Sequence, residues 1–205
     1  MTSTENKKTV FFDLGNVVVF FCHKKMCSQL SRISGICANQ IEQLILQSPI
    51  GDQYERGQIS SEDMLRHFNT QFNTNLPLED FLWAISDIFK LNKDIMPLLE
   101  RLRKNGVELI ILSNTCQAHI DYIRKNFSIL DKFDKHIFSY EIGSRKPEKK
   151  IFFSALKNSS SEISNCFYTD DIEEYIKTAS ELGIDSHQYI SLDKLTFALQ
   201  SKGFI

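Results

Sequence analysis

With 205 residues, 42% of them hydrophobic and sixteen of them Phe, the chain can bury one domain-sized core, or one such domain carrying an insertion. That composition excludes disorder, collagen-like repeats and coiled coil. Twenty-four basic against 26 acidic residues leave a net charge of -2, too balanced for bulk attraction to nucleic acid or an anionic membrane.

Residues 1–8 are polar and charged and run straight into Thr9-Val10-Phe11-Phe12. They lack the apolar stretch and small-residue cleavage site of a secretory leader, and no apolar run approaches the roughly 20 residues of a membrane span. A cytoplasmic protein without a membrane partner is expected. Residues 9–12 read as a buried strand ending at Asp13. Residues 22–92 hold no strand-like run and read as helices over 24–34, 38–47, 61–72 and 78–89. Ser60-Ser61-Glu62-Asp63 and Pro77-Leu78-Glu79-Asp80 supply N-terminal signals for the last two. Beyond this insert, strands over 107–112, 136–140, 166–169 and 188–190 alternate with helices over 116–126, 147–156, 172–182 and 192–200. Alternation of this kind implies a parallel sheet with right-handed crossovers. The expected fold is α/β: residues 1–21 and 93–205 form a parallel sheet flanked by helices, and residues 22–92 form an all-helical cap inserted after the first strand and lying over the strand ends. Five cysteines, with no Cys-x-x-Cys pair, read as reduced thiols that mostly pack.

Ligand sites in such sheets lie outside the carboxyl ends of the strands. Asp13, Ser113-Asn114, Arg145-Lys146 and Asp170-Asp171 all fall there or beside it. Adjacent carboxylates repel unless a cation holds them ionised, and oxygen ligands without a His or Cys cluster favour a hard ion such as Mg²⁺. Asp13 can then act as ligand and nucleophile together. Ser113, the neighbouring backbone N–H groups with Asn114, and the Lys146 ammonium offer donors to phosphoryl oxygens.

The order and spacing of Phe12-Asp13-Leu14-Gly15-Asn16-Val17, Ile111-Leu112-Ser113-Asn114, Ser144-Arg145-Lys146-Pro147 and Tyr168-Thr169-Asp170-Asp171 resemble the haloacid dehalogenase-like hydrolase superfamily over nearly the whole chain. The insert resembles the cap of the subgroup whose cap lies between the first two motifs. Its segment Tyr54-Glu55-Arg56-Gly57-Gln58-Ile59-Ser60 is similar to one in a branch of sugar-phosphate phosphatases that includes a glucose-1-phosphate phosphatase. The resemblance implies a Rossmann-like core and a Mg²⁺-dependent phosphatase acting on a small phosphorylated metabolite. Asp13 would form an aspartyl-phosphate, Ser113 and Asn114 would hold the phosphoryl oxygens, and Lys146 would neutralise charge. Asp13, the Gly15 carbonyl and Asp171 would bind Mg²⁺, with Asp170 supporting the metal directly or through water.

Most phosphatases of this superfamily carry a second Asp two residues after the nucleophile, as the acid that protonates the leaving alcohol. Gly15 occupies that position here, although the glucose-1-phosphate branch shares Asp-Leu-Gly-Asn. A sugar 1-phosphate, whose hemiacetal oxygen leaves more easily than an ordinary alkoxide, is the substrate least dependent on such an acid. His23, at the cap entrance, is a weak candidate for the missing role, and Tyr54 and Arg56 are weak candidates for substrate contact. Arg145 reads as a surface residue. Trp83, Phe68, Phe72, Phe81 and Phe89 read as the cap's own core. Two alternatives stand beside the phosphatase: a catalytically weak member of the fold that binds a phosphorylated ligand or a protein, supported by Gly15, and a haloacid dehalogenase, which needs no metal and so leaves Asp170-Asp171 without a purpose.

Overall fold

Thr9–Phe12 form strand β1 at the centre of the molecule, every residue buried, because β-favouring residues that are apolar on both faces suit the middle of a covered parallel sheet. The protein is seen in a computed structural model that describes residues 7–205. For residues 1–6, the leader reading lies outside the described residues. The chain continues through β2 (Val19–Phe21), helices α1 (His23–Ser34), α2 (Ala38–Leu46), α3 (Pro49–Glu55), α4 (Ser61–Phe72) and α5 (Leu78–Ser86), and β3 (Phe89–Leu91). Next come α6 (Met96–Lys104), β4 (Glu108–Ser113), α7 (Gln117–Asn126), β5 (Lys135–Phe138), the short α8 (Ser139–Ile142) and α9 (Lys149–Asn158). The described chain closes with β6 (Cys166–Asp170), α10 (Glu173–Glu181), β7 (Asp185–Gln188) and α11 (Leu192–Ser201).

Five parallel strands lie in the order β5-β4-β1-β6-β7. Alternation along β1 divides the core: Val10 and Phe12 pack with Leu98, Leu99 and Leu102 of α6 and Leu195 and Leu199 of α11. Phe11 packs on the other face with Ile151, Phe152 and Ala155 of α9 and Ala179 of α10. The result is the α/β architecture expected, a parallel sheet covered by helices on both sides. Helices α1 to α5 bury a separate cluster around Leu30, Ile41, Phe68 and Phe81, which also takes in Cys116 and Ala118 at the start of α7.

Several elements differ from the sequence reading. The segment expected to hold no strand ends in β3, which pairs antiparallel with β2, Phe21 opposite Phe89. The two connections between sheet and insert thus satisfy each other's backbone groups, and Asn92 locks them by donating to the Val17 carbonyl at 2.8 Å. The helix expected over 78–89 consequently stops at Ser86. Helix α3 has no counterpart in the sequence reading; its Pro49 sits in the first turn, where the missing N–H costs nothing, and Ser48 caps it. The sequence reading assigns nothing to 93–104, where α6 lies. Strand β7 is polar and sits at the sheet edge, three residues earlier than expected, where the apolar signal of a central strand is absent. Trp83 is not core: it is 41% exposed, with the Arg32 guanidinium 5.6 Å from its ring centroid. Phe68 and Phe81 are fully buried, as expected. All five cysteines are free thiols, and no helix among the described residues is long and apolar enough to cross a membrane.

Candidate active site

Strand register brings the four motifs together. Phe12 lies level with Ile111 of β4 on one side and Thr169 of β6 on the other, and the Asp13 N–H donates to the Thr169 carbonyl at 2.9 Å. Asp13, Ser113 and Asp170 therefore leave the sheet side by side. Lys146 arrives from the loop before α9, and its ammonium is fixed by three acceptors: Asp13 Oδ1 at 2.6 Å, Asp170 Oδ2 at 2.6 Å and the Leu112 carbonyl at 2.9 Å. Its side chain is 1% exposed, against 10% for Asp13 and 0% for Asp170. Burial alone would strip the Lys146 proton, but the two carboxylates outweigh it and hold the ammonium above its ordinary range. Burial likewise pushes the Asp13 carboxyl up; Lys146 opposes the shift, and Asp170 and Asp171 add to it.

The remaining polar groups orient this centre. Asn114 spends its side chain on the lysine loop, Nδ2 donating to the Lys146 carbonyl at 2.9 Å and Oδ1 accepting from the Lys146 N–H at 2.7 Å. The Asn114 amide is thus a brace for Lys146, and what it leaves for an anion is its backbone N–H. The Ser113 hydroxyl has only a long 3.4 Å contact to the Asn114 carbonyl and faces the cavity. Asp170 is saturated: Oδ2 accepts from Lys146 and Tyr168, and Oδ1 accepts from the Ile172 N–H at 2.9 Å. Asp171 accepts only from Asn16 Nδ2, at 3.0 Å, and Asn16 takes a left-handed backbone, φ 54°, to present that amide. Asp13, Asp170 and Asp171 each place one oxygen within 4.8 Å of the others, a hard-oxygen set suited to a divalent cation.

A cavity of about 190 Å³ opens above the centre, lined among others by Asp13, Gly15, Ser113, Lys146, Asp171 and Tyr175. Phe21 roofs Gly15 closely: a Cβ added at Gly15 would lie 2.7 Å from Phe21 Cε1. A second cavity, about 590 Å³, extends under the insert between Met26, Ile45, Tyr54, Phe81 and Ile85. His23, Glu55, His119 and Arg145 line both cavities and form the throat between them.

Arg145 is not a surface residue: it reaches across to α3, 2.5 Å from Asp52 and 2.7 Å from Glu55. Arg56 does not face either cavity. It pairs with Asp52 at 2.6 Å and with Glu148, beside the lysine loop, at 2.5 Å, so it latches the insert to the sheet domain. Gly57 completes the latch, since a Cβ there would fall 2.2 Å from the Tyr140 carbonyl. Tyr54 lines the second cavity but is buried, its hydroxyl bonded to Ser61 at 2.7 Å. His23 stands at the throat, its ring tilted 51° against that of Phe21 with centroids 4.8 Å apart.

Sequence reading misses Phe21, Glu55, Phe89, His119 and Tyr175 as cavity residues. Glu55 sits in a stretch singled out beforehand, and Phe89, read as cap core, instead lines the cavity from β3; the others are brought in by β2 and by the starts of α7 and α10. Burial lowers the His119 pKa to about 4, so the ring folds neutral and its contribution to stability is full above its ordinary value of 6.5 and lost as pH falls toward 4. At 1.36 kcal/mol per unit, this group alone should make the protein about 2 kcal/mol less stable at pH 5 than at pH 7. Urea denaturation of His119→Gln at the two pH values should show that difference shrink; an unchanged difference would assign it elsewhere.

The chain and its fold are similar to those of known proteins. The model of the haloacid dehalogenase-like hydrolase family matches residues 7–183. A Bacteroides thetaiotaomicron protein named D-ribitol-5-phosphate phosphatase is 24% identical over 190 residues, 88% of this chain and 91% of that one. A haloacid dehalogenase family enzyme from the same species, solved in complex with magnesium and inorganic phosphate, superposes with a TM-score of 0.82 at 24% identity, covering 92% of this chain and 98% of its own. A hydrolase of this type from Porphyromonas gingivalis gives a TM-score of 0.82 at 20% identity, over 95% and 98% of the two chains.

Proposed function

The chain belongs to the haloacid dehalogenase-like hydrolase family, and on that premise we propose that it is a magnesium-dependent phosphatase of a small phosphorylated metabolite, acting through an aspartyl-phosphate on Asp13. The observation that carries this reading is the buried Lys146 ammonium held between Asp13 and Asp170 beneath a small cavity. Lys146 occupies Asp13 Oδ1, which leaves Oδ2 to attack phosphorus. Ser113 Oγ and the Asn114 N–H would hold phosphoryl oxygens, and Lys146 would offset their charge. Of the acidic pair, Asp171 has uncommitted oxygen lone pairs and is the better direct ligand; Asp170, already saturated, positions Lys146. Asp13, Asp171 and the Gly15 carbonyl would hold Mg²⁺, which supplies fixed positive charge beside the transferring phosphoryl group.

The throat and second cavity have room for the alcohol portion of the substrate. Their mixture of apolar wall and polar throat suits a polyhydroxy compound, and the D-ribitol-5-phosphate phosphatase relative supports a sugar or polyol phosphate, of which a sugar 1-phosphate is one form. The three-carboxylate cluster weighs against the dehalogenase alternative, because two buried acids sharing one lysine, with a third acid beside them, have no use in a displacement that needs no cation. A purely binding role leaves the same cluster unexplained.

Phosphate release should be measured from glucose 1-phosphate, glucose 6-phosphate, D-ribitol 5-phosphate, AMP and p-nitrophenyl phosphate, each with Mg²⁺ and with EDTA. Release with Mg²⁺ that EDTA abolishes is the expected result. No release from any compound would overturn the phosphatase reading. Faster turnover of glucose 1-phosphate than of glucose 6-phosphate would favour the sugar 1-phosphate form, and the reverse order would remove it.

A further inference from the structure

Expelling an ordinary alcohol from a phosphoric monoester leaves a strongly basic alkoxide, and a positioned acid accelerates that step by about 10²–10⁴-fold. The nucleophile loop provides none: Gly15 has no side chain, and the Phe21 ring fills the space into which one would project. Three carboxyls line the cavity: Asp13, Asp171 and Glu55. The first two belong to the acidic cluster. Glu55 enters from the opposite side, at the end of α3, and sits in the throat between the phosphate cavity and the cavity that would receive the alcohol.

The Glu55 carboxyl is held there by an ion pair with Arg145. Its backbone carbonyl accepts from Ser139 Oγ at 2.6 Å, and α3 is tied down by Arg145 and Arg56. Arg145 Nη2 lies 2.7 Å from Glu55 Oε2, an oxygen sealed from solvent, and the buried Arg145 Nε has no hydrogen-bond partner. Arg145 engages one carboxyl oxygen, and the carboxyl keeps lone pairs open to a proton or to a donor on a bound substrate. We propose that Glu55 is the general acid and base of the reaction, delivered from the insert in place of a residue on the nucleophile loop.

This assignment rests on the phosphatase reading. In the first step, Asp13 Oδ2 bonds to phosphorus, the bond from phosphorus to the alcohol oxygen breaks, and the Glu55 proton passes to that oxygen. In the second, a water oxygen bonds to phosphorus and gives one proton to the Glu55 carboxylate. The bond from phosphorus to Asp13 then breaks, its electron pair returning to the aspartate. One water is consumed; alcohol and inorganic phosphate leave, and Glu55 is protonated again. The surroundings fit an acid: burial raises the Glu55 pKa, Asp52 raises it further, and Arg145, Lys146 and Arg56 oppose the shift. Tyr175 lines the first cavity with Glu55 and Cys116 lines the second, and His23 and His119 share the throat.

The test compares wild type, Glu55→Gln and Glu55→Asp on p-nitrophenyl phosphate, whose phenolate leaves without a proton, and on the fastest alkyl phosphate of the panel above, from pH 5 to 9. Glu55→Gln should lose about 10²-fold or more in kcat/KM on the alkyl phosphate and under about tenfold on the aryl one. It should also lose the basic limb of the alkyl pH profile, and Glu55→Asp should recover part of the rate. Equal losses on both substrates at unchanged thermal midpoint, or no loss on the alkyl phosphate, would overturn the role of Glu55 while leaving the phosphatase reading intact. A wild type inert toward every compound would overturn both.

Discussion

Asp13→Asn is expected to lower phosphate release by about 10⁴-fold or more and to leave the fold intact. The amide oxygen of Asn can still accept from Lys146, but it is too weak a nucleophile to form the acyl-phosphate bond. The same substitution removes a buried charge beside Asp170 and Asp171, and that has a separate signature. Burial pushes the Asp13 carboxyl up to about 7 from 3.8. Between those values the folded state binds more protons than the unfolded one, so metal-free wild type should lose stability as pH rises through this window. Asp13→Asn should lose that slope in denaturation experiments run in EDTA at pH 5 and pH 7.5. Phosphate release within about tenfold of wild type would remove Asp13 as nucleophile.

Lys146→Met should damage both stability and activity. Its ammonium is the cation paired with Asp13 and Asp170, and removing one partner from a buried ion pair costs about 3–5 kcal/mol, because the remaining charges stay desolvated and uncompensated. The folded pKa of Lys146 lies above its ordinary 10.5, so its contribution is complete below that value and is lost only as pH rises through the folded one. Denaturation at neutral pH therefore measures the whole effect. Adding Mg²⁺ should recover part of the stability by supplying positive charge to the same carboxylates. A variant as stable as wild type in EDTA would show that the three carboxylates do not need Lys146.

The separation between what was legible and what was not follows the range of the interactions. Thr9–Phe12, Glu108–Ser113 and Cys166–Asp170 are buried on both faces, so each announces itself as an apolar run with a polar residue at its end. Ser60 and Asp63 form a complete capping box at α4, a signal contained within four residues. By contrast, α3 opens with Pro49 and Gly51, β7 is polar because it is an edge, and β2 and β3 are three residues each. Those elements depend on partners far away in the chain and leave little local trace.

The same holds for the site. Residue type and position at strand ends gather Asp13, Ser113, Asn114, Asp170 and Asp171, because parallel register converts the end of each apolar run into a point on one rim; Lys146 joins them from the loop before α9. Spacing could not show that Asn114 braces Lys146, that Asp170 is saturated while Asp171 is not, or that Arg56 and Arg145 join the insert to the sheet domain. Nor could it show Phe21 over Gly15 with Glu55 facing the cavity from the other side. The sequence by itself determined the sheet, the rim and the charged residues on it, since hydrophobic periodicity and strand termini are local properties of the chain. Only the tertiary structure decided how those charges are shared and which insert residues close over them, because hydrogen-bond partners and desolvation come from segments up to 155 residues apart, as in the bond from Asn16 to Asp171.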